Sequence, residues 1–516
     1  MTLTLTLRDS LEKATLERRH LLAESGFIAA LAERDATLWG PDAEAEASIR
    51  LGWTASPANW LPVAREVMAL REELGNRGID RVVLCGMGGS SLGPEVMAAS
   101  AGLPLVVIDS THPDEIAPEL ARDLSRTVVV VSSKSGGTVE TDSQKRAFEA
   151  ALQNQGLDPI DHIIIVTDPG SPLNLDSRDA GYRVFEGDPT IGGRFSAVSP
   201  FGLVPVGLAG MDLVQFLEDA SEGYEACRAK DESNPALRLG VALACRHPEV
   251  NKVFCGEDPE LPGFGDWVEQ LVAESTGKMG KGILPVVSSS LEGIPDAISV
   301  GPRGSGSDLE ISGSLAGRMV LWEYATAVAC AVLGVNPFDQ PNVESAKIAA
   351  RELLESSGVA SREEEELGGL SVFAHPPLPA LGGLAELPEV LGKLAGKRGY
   401  IALCIFAPRQ SESLWRKVAD RIEQLTARPV TVGFGPRFLH STGQLHKGGA
   451  PEGVFFQIIA TAHSDIAIPG RAFGFSELLL SQAHGDARVL VATGQPVISV
   501  TGSPQQVAEL REALGA

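Results

Sequence analysis

The stretch LCGMGGSSLGPE, residues 84–95, follows an apolar run and sets Gly88, Gly89, Ser90 and Ser91 ahead of a segment able to form a helix. A second stretch, SSKSGGTVET at 132–141, ends another apolar run and places Ser133, Lys134, Ser135, Thr138 and Thr141 around a glycine pair. Backbone N–H groups and hydroxyls in such strand-to-helix turns hold anions, because the first amides of a helix lack partners and carry partial positive charge. Two such loops side by side would hold one phosphate monoester through many neutral donors. Gly89, Ser90, Ser133, Lys134, Ser135 and Thr138 are therefore the candidate phosphate contacts. Nucleotide readings of the first loop fail. A dinucleotide turn needs a third glycine where Ser91 stands, even though Asp109 ends the next strand in the place of a ribose-binding acid; a nucleoside-triphosphate loop needs a lysine where Pro94 stands.

Farther along, Glu274 lies one turn after Gln270 in a segment that predicts a helix ending at STGK, so both side chains share a face. Arg194 stands in a glycine-flanked turn. Neither position alone separates a functional residue from a surface carboxylate or a structural ion pair.

The stretches around them carry a resemblance. GMGGSSLGPE with SSKSGGTVET resembles the sugar-isomerase (SIS) domain of the glucose-6-phosphate isomerase family. GGRFSAVSPFGL (192–203), EQLVAESTGKMGKGILPV (269–286) and NPFDQPNVESAK (336–347) resemble, in order, that family's arginine, glutamate and lysine signatures. The later HSTGQLHKGG is similar to the isomerase half of transaldolase–isomerase fusions. The resemblance implies that Glu274 carries the proton between C1 and C2, that Gln270 contacts substrate, that Arg194 steadies the enediolate, and that Lys347 and Gln340 reach the ring oxygen and the phosphate. The family's usual GQH histidine has no counterpart between residues 275 and 346. The nearest match is His446 in STGQLHKGG, with His440 in FLHSTG as the rival. In this family the ring-opening histidine comes from the neighbouring subunit, so a homodimer is implied.

Aldose–ketose isomerisation fits that set. It needs a proton shuttle to open the ring, one carboxylate to move a carbon-bound proton, and a fixed positive charge beside the developing oxyanion. It needs no cofactor, and the sequence shows no metal-ligand spacing near the signatures. The expected activity is interconversion of glucose 6-phosphate and fructose 6-phosphate, with a noncatalytic sugar-phosphate regulator or a dual glucose/mannose 6-phosphate isomerase as alternatives.

These residues need a scaffold. The runs RVVLC, LPLVVID, TVVVVSS and HIIIVTD alternate with helical stretches, which predicts parallel strands with crossover helices and ligands at the strands' carboxyl ends. KVFC, GILPVV, YIALCIF, PVTVGF, GVFFQIIA and RVLVAT read as further strands. The resulting class is α/β, with two doubly wound parallel-sheet lobes of SIS type and helices on both faces. Expected segments are a helical 1–75, a first lobe at 76–200 and a second at 201–516, with a linker from Arg362 to about Leu384. At 516 residues the chain exceeds what one core usually holds. A net charge of −24 argues against nonspecific nucleic-acid binding. No run reads as a membrane span, and six scattered cysteines without a CxxC pair suggest reduced thiols in the cytoplasm.

Overall fold

Strands covered by helices on both faces bury every side chain and are written as unbroken apolar runs. Such runs form the central strands of the first sheet here. Strands β1 (Arg81–Gly86), β2 (Leu105–Ile108), β3 (Thr127–Ser132), β4 (Ile163–Thr167) and β5 (Arg183–Glu186) lie in the order 2-1-3-4-5, each neighbouring pair parallel. The chain leaves β1 on one side and returns on the other with β3. The crevice at their carboxyl ends is thus the topological switch point, where open sheets take ligands. Gly86 and Ser132, the last residues of those strands, are register partners, so the two hydroxyl loops leave the sheet side by side.

The computed structural model describes residues 2–288, 294, 296–355 and 365–515. Strands β6 (Lys252–Cys255), β7 (Leu284–Val287), β8 (Ala297–Pro302) and β9 (Leu309–Ser312) build a second sheet with parallel pairing. Its edge departs from the expected all-helical N-terminus, because Thr4–Leu7 pairs antiparallel with β9. The alternation TLTL buries Leu5 and Leu7 and leaves the threonines facing out, a period-two signal too short to stand out beside the helices that follow. A third, six-stranded sheet contains β10 (Glu365–Leu367), β11 (Leu370–His375), β12 (Tyr400–Phe406), β13 (Val430–Phe434), β14 (Gly453–Ala460) and β15 (Val497–Gly502). The α/β class with parallel sheets is the one the chain adopts.

The units differ from the expected segments. One unit comprises Met1–Asp109, Asp123–Val287 and Ala297–Asp339; the other comprises Ser110–Arg122, Ser288–Asp296 and Gln340–Ala516. A boundary at residue 200 fails because Val82 and Leu84 of the first sheet share one apolar core with Val253 and Leu309 of the second. RVLVAT is the end of a helix, not a strand, and VISVTG supplies the strand between β11 and β14 instead. The expected linker contains β10 and β11, while residues 361–364 lie outside the described residues. Helix Leu315–Leu333 is long and apolar enough to cross a membrane, contrary to the expectation of no such run, yet 83% of it is buried within the first unit. Among the described residues none of the six cysteines forms a disulfide, and five of them are buried.

Candidate active site

In the first loop, a single tight turn Gly88–Ser90 leads into helix α1 (Leu92–Ser100), and Ser90 is buried. Gly89 is required by close approach: a Cβ there would stand 2.0 Å from the carbonyl oxygen of Gly193. The first loop and the arginine turn therefore touch backbone to backbone. In the second loop Gly136 has φ +70°, and a Cβ on it would also meet Leu173 at 2.6 Å. Thr138 then caps helix α2 (Val139–Asn154) without closing a side-chain cap, and Ser133 Oγ donates to Thr138 Oγ1 at 3.3 Å. Ser135 is exposed, its Oγ accepting from Gly137 N–H at 3.3 Å. Among the described residues the buried hydroxyls of Ser132 and Thr141 have no partner.

Lys134 corrects an expectation. Its ammonium donates to both carboxylate oxygens of Asp168, at 2.8 and 2.6 Å, and to the carbonyl of Asp188 at 2.9 Å. Three acceptors match its three hydrogens, which leaves none for a phosphate in this arrangement. Burial pushes the Lys134 pKa down and that of Asp168 up, and the ion pair opposes both shifts.

Helix α3 (Phe264–Thr276) places Gln270 and Glu274 on one face, as their spacing predicts, with Gln270 Nε2 donating to Glu274 Oε2 at 3.3 Å. Arg194 Nη1 pairs with Glu274 Oε1 at 2.8 Å, and both side chains are largely buried. The guanidinium is fixed from behind. Its Nε and Nη2 donate to Pro337 O at 3.2 and 3.0 Å, and Nη2 also donates to Asp339 O at 2.9 Å.

Sequence reasoning missed Lys278 and Asp339. Lys278 pairs with Asp339 Oδ1 at 2.8 Å and donates to Asn336 O. Burial first, and the nearby Arg194 charge second, push its pKa down to about 8. Its signal was present in STGK, but Gly277 ends the helix one residue earlier and hides its proximity to Arg194.

The remaining candidates belong to the second unit. Gln340 is exposed, and Lys347 is exposed on helix α4 (Val343–Glu355), 3.6 Å from Glu344. The histidine stretch and the lysine segment are tied together: Gln444 Oε1 accepts from Asn342 N–H at 3.0 Å, and Gln444 Nε2 donates to Asn342 Oδ1 at 2.8 Å. His446 does not lie in an open glycine-rich loop. It sits on the short helix Gly443–Gly448, buried against Phe455, Tyr400 and Phe438 at ring-centroid distances of 4.9, 6.2 and 6.2 Å. Neither ring nitrogen has a partner among the described residues. Burial and the adjacent Lys447 charge hold its pKa well below the ordinary value. His440, at the end of the turn Arg437–His440, is only half-buried.

A 2-1-3-4-5 parallel sheet carries the hydroxyl loops at its switch point, and the turn that bears the buried Arg194–Glu274 pair touches the first of them, which defines an α/β protein with clustered anion donors beside a carboxylate and a fixed cation. Residues 72–281 match the family model described as Phosphoglucose isomerase, so the resemblance read from the signatures holds over that span. Glucose-6-phosphate isomerase of Thermus thermophilus is 34% identical over 238 residues, 45% of this chain and 56% of the relative. The Rippkaea orientalis enzyme of that name is 36% identical over 209 residues, covering 38% of this chain and 40% of its own. A probable glucose-6-phosphate isomerase of Methanococcus maripaludis is 26% identical over 361 residues, 56% of this chain and 82% of its own. The chain thus spans roughly half the length of the Thermus and Rippkaea relatives. The crystal structure of a Chlamydia trachomatis glucose-6-phosphate isomerase shares the fold, with TM-score 0.54 and 20% identity over 69% of this chain and 89% of that one.

Proposed function

We propose that this chain interconverts glucose 6-phosphate and fructose 6-phosphate through a cis-enediol. The observation that carries the reading is the 2.8 Å Arg194–Glu274 pair in the unit that also bears the two hydroxyl loops. The phosphate rests on the N-terminus of α2 and the hydroxyls of Ser133, Ser135 and Thr138, with Gly89 and Ser90 alongside. Glu274 takes the proton from C2 of the open-chain aldose and returns it to C1. Once Glu274 is protonated it no longer neutralises Arg194, whose guanidinium, pinned by the Pro337 and Asp339 carbonyls, then faces the enediolate oxygen. That attraction strengthens only as the intermediate forms, which is the condition for lowering a barrier.

Gln270 is assigned to substrate contact, and Lys347 and Gln340 to the ring oxygen and phosphate, on the resemblance. Ring opening goes to His440, which water reaches, in preference to the buried His446. We further propose a homodimer acting in the cytoplasm, where cysteines that form no disulfide stay reduced. A coupled assay with glucose, fructose and mannose 6-phosphates tests the reading. Interconversion of the first two supports it, turnover of the third widens the substrate class, and no turnover of any ends it.

A further inference from the structure

Four charges in the first unit form a linked series. Glu274 pairs with Arg194 at 2.8 Å, and Lys278 pairs with Asp339 at 2.8 Å. Residues 336–339 join the two pairs, because their carbonyls serve both cations: Asn336 O accepts from Lys278, while Pro337 O and Asp339 O accept from Arg194. At rest the two cations and two carboxylates balance.

We infer that Lys278 is a positioning residue that holds the 336–339 segment onto Arg194 and supplies a second positive charge behind the enediolate once Glu274 has taken its proton. This rests on the reading of Glu274 as base and Arg194 as the oxyanion's partner. A merely structural ion pair gives a poor account of the arrangement. The Lys278 side chain is 4% exposed while Asp339 is 39% exposed, so a lysine has been drawn out of water beside a second cation. Burying charge in that way costs stability unless the attraction is very good, and such costs gather at functional sites. The charged or titratable groups acting on Lys278 are Arg194, Asp339 and the Cys330 thiol, itself pushed up to about 12 by burial. Lys278 is thus poised to lose its proton at about pH 8, and with it the ion pair to Asp339.

Lys278→Met and Lys278→Arg test this in the full chain. We expect Lys278→Met to lower kcat about 100-fold with KM within about threefold, since the lost charge acts on the intermediate. Lys278→Arg should recover most of that loss and keep kcat high above pH 8, where the wild-type value declines. Melting temperatures establish that each variant folds, and an unfolded Met variant leaves the pH comparison between Arg and wild type as the test. An activity-independent readout uses two probes. One is a pentonate 5-phosphate, whose carboxylate stands where the enediolate would; the other is a hexitol 6-phosphate, uncharged at that end. Calorimetry should show Lys278→Met weakening the pentonate at least tenfold while hexitol binding holds.

Equal binding of both probes by folded Lys278→Met and wild type overturns the inference even if the isomerase activity stands. So does an alkaline limb that Lys278→Arg fails to shift. Absence of isomerase activity in the wild type, with pentonate binding still dependent on Lys278, sinks the functional reading and leaves a two-cation anion site.

Discussion

Glu274 carries two duties in the site, proton carrier and counter-ion to Arg194. Glu274→Gln keeps the shape and removes both. We expect kcat to fall by about 10²–10⁴-fold with sugar-phosphate binding retained, as loss of a general base does. Progress curves and calorimetry check this, and activity within tenfold of wild type would release Glu274 from the role. The loop hydroxyls behave differently, because a phosphate is held alike in ground and transition states. Ser133→Ala with Thr138→Ala should raise KM several-fold, by about 1 kcal/mol per lost hydrogen bond, and leave kcat nearly unchanged. An unchanged KM places the phosphate elsewhere. At this scale the sequence was a good guide where neighbours in the chain decide the geometry, as for Gln270 and Glu274. It misled at Lys134, because the residue that claims its ammonium, Asp168, follows a different strand and becomes a neighbour only when β3 and β4 pair.

Elements set the positions these residues occupy, and the contact between the first loop and the arginine turn leaves no room for a Cβ at Gly89. Gly89→Ala should push Gly193 and hence Arg194 away from Glu274. A displacement of about 1 Å in such a site costs on the order of 100-fold in rate, so kcat should fall steeply in a protein that still melts cooperatively. Wild-type kcat in a folded Gly89→Ala variant contradicts the contact. The buried His446 yields a prediction of the other kind. Its folded pKa lies below the ordinary 6.5, so the unfolded chain takes up a proton that the folded chain refuses. The stability that follows is fully present above about pH 6.5 and is lost as pH falls below it. His446→Phe fills the same aromatic surroundings without two unpartnered nitrogens. It should melt at or above the wild-type temperature at pH 7.5, exceed it by a wider margin at pH 5, and keep its activity. Loss of activity on cyclic substrate in a folded His446→Phe returns ring opening to that residue. Strand runs with continuous β-branched residues were legible because both faces of the sheet are covered. RVLVAT was misread because apolar residues at the end of a helix buried on several faces look the same over six positions.

At the scale of the molecule, the candidate residues divide between two units. Arg194, Gln270, Glu274 and Lys278 lie in one; Gln340, Lys347, His440 and His446 lie in the other. The expected lobe at 201–516 held Glu274 and Lys347 together, and the boundary between Asp339 and Gln340 was not legible because the core that unites the first two sheets is made by contacts far apart in the chain. The division sharpens the question of which subunit supplies the ring-opening histidine. The resemblance implies the neighbouring one, whereas a histidine stretch tied to the lysine segment by the Gln444–Asn342 pair could serve its own chain. Sedimentation or size exclusion first establishes a dimer. Glu274→Gln subunits are then refolded with His440→Ala subunits, each inactive as a homodimer on closed-ring substrate. If the histidine acts across the interface, the site built on the His440→Ala subunit holds an intact Glu274 and borrows His440 of the partner subunit, so one site in two works. If it acts within its own chain, every site lacks one residue and the mixture stays inactive. We expect recovery in the mixed dimers, read by the same coupled assay. Open-chain substrate supplies the control, because His440→Ala homodimers should turn it over whichever arrangement holds, while Glu274→Gln homodimers should not.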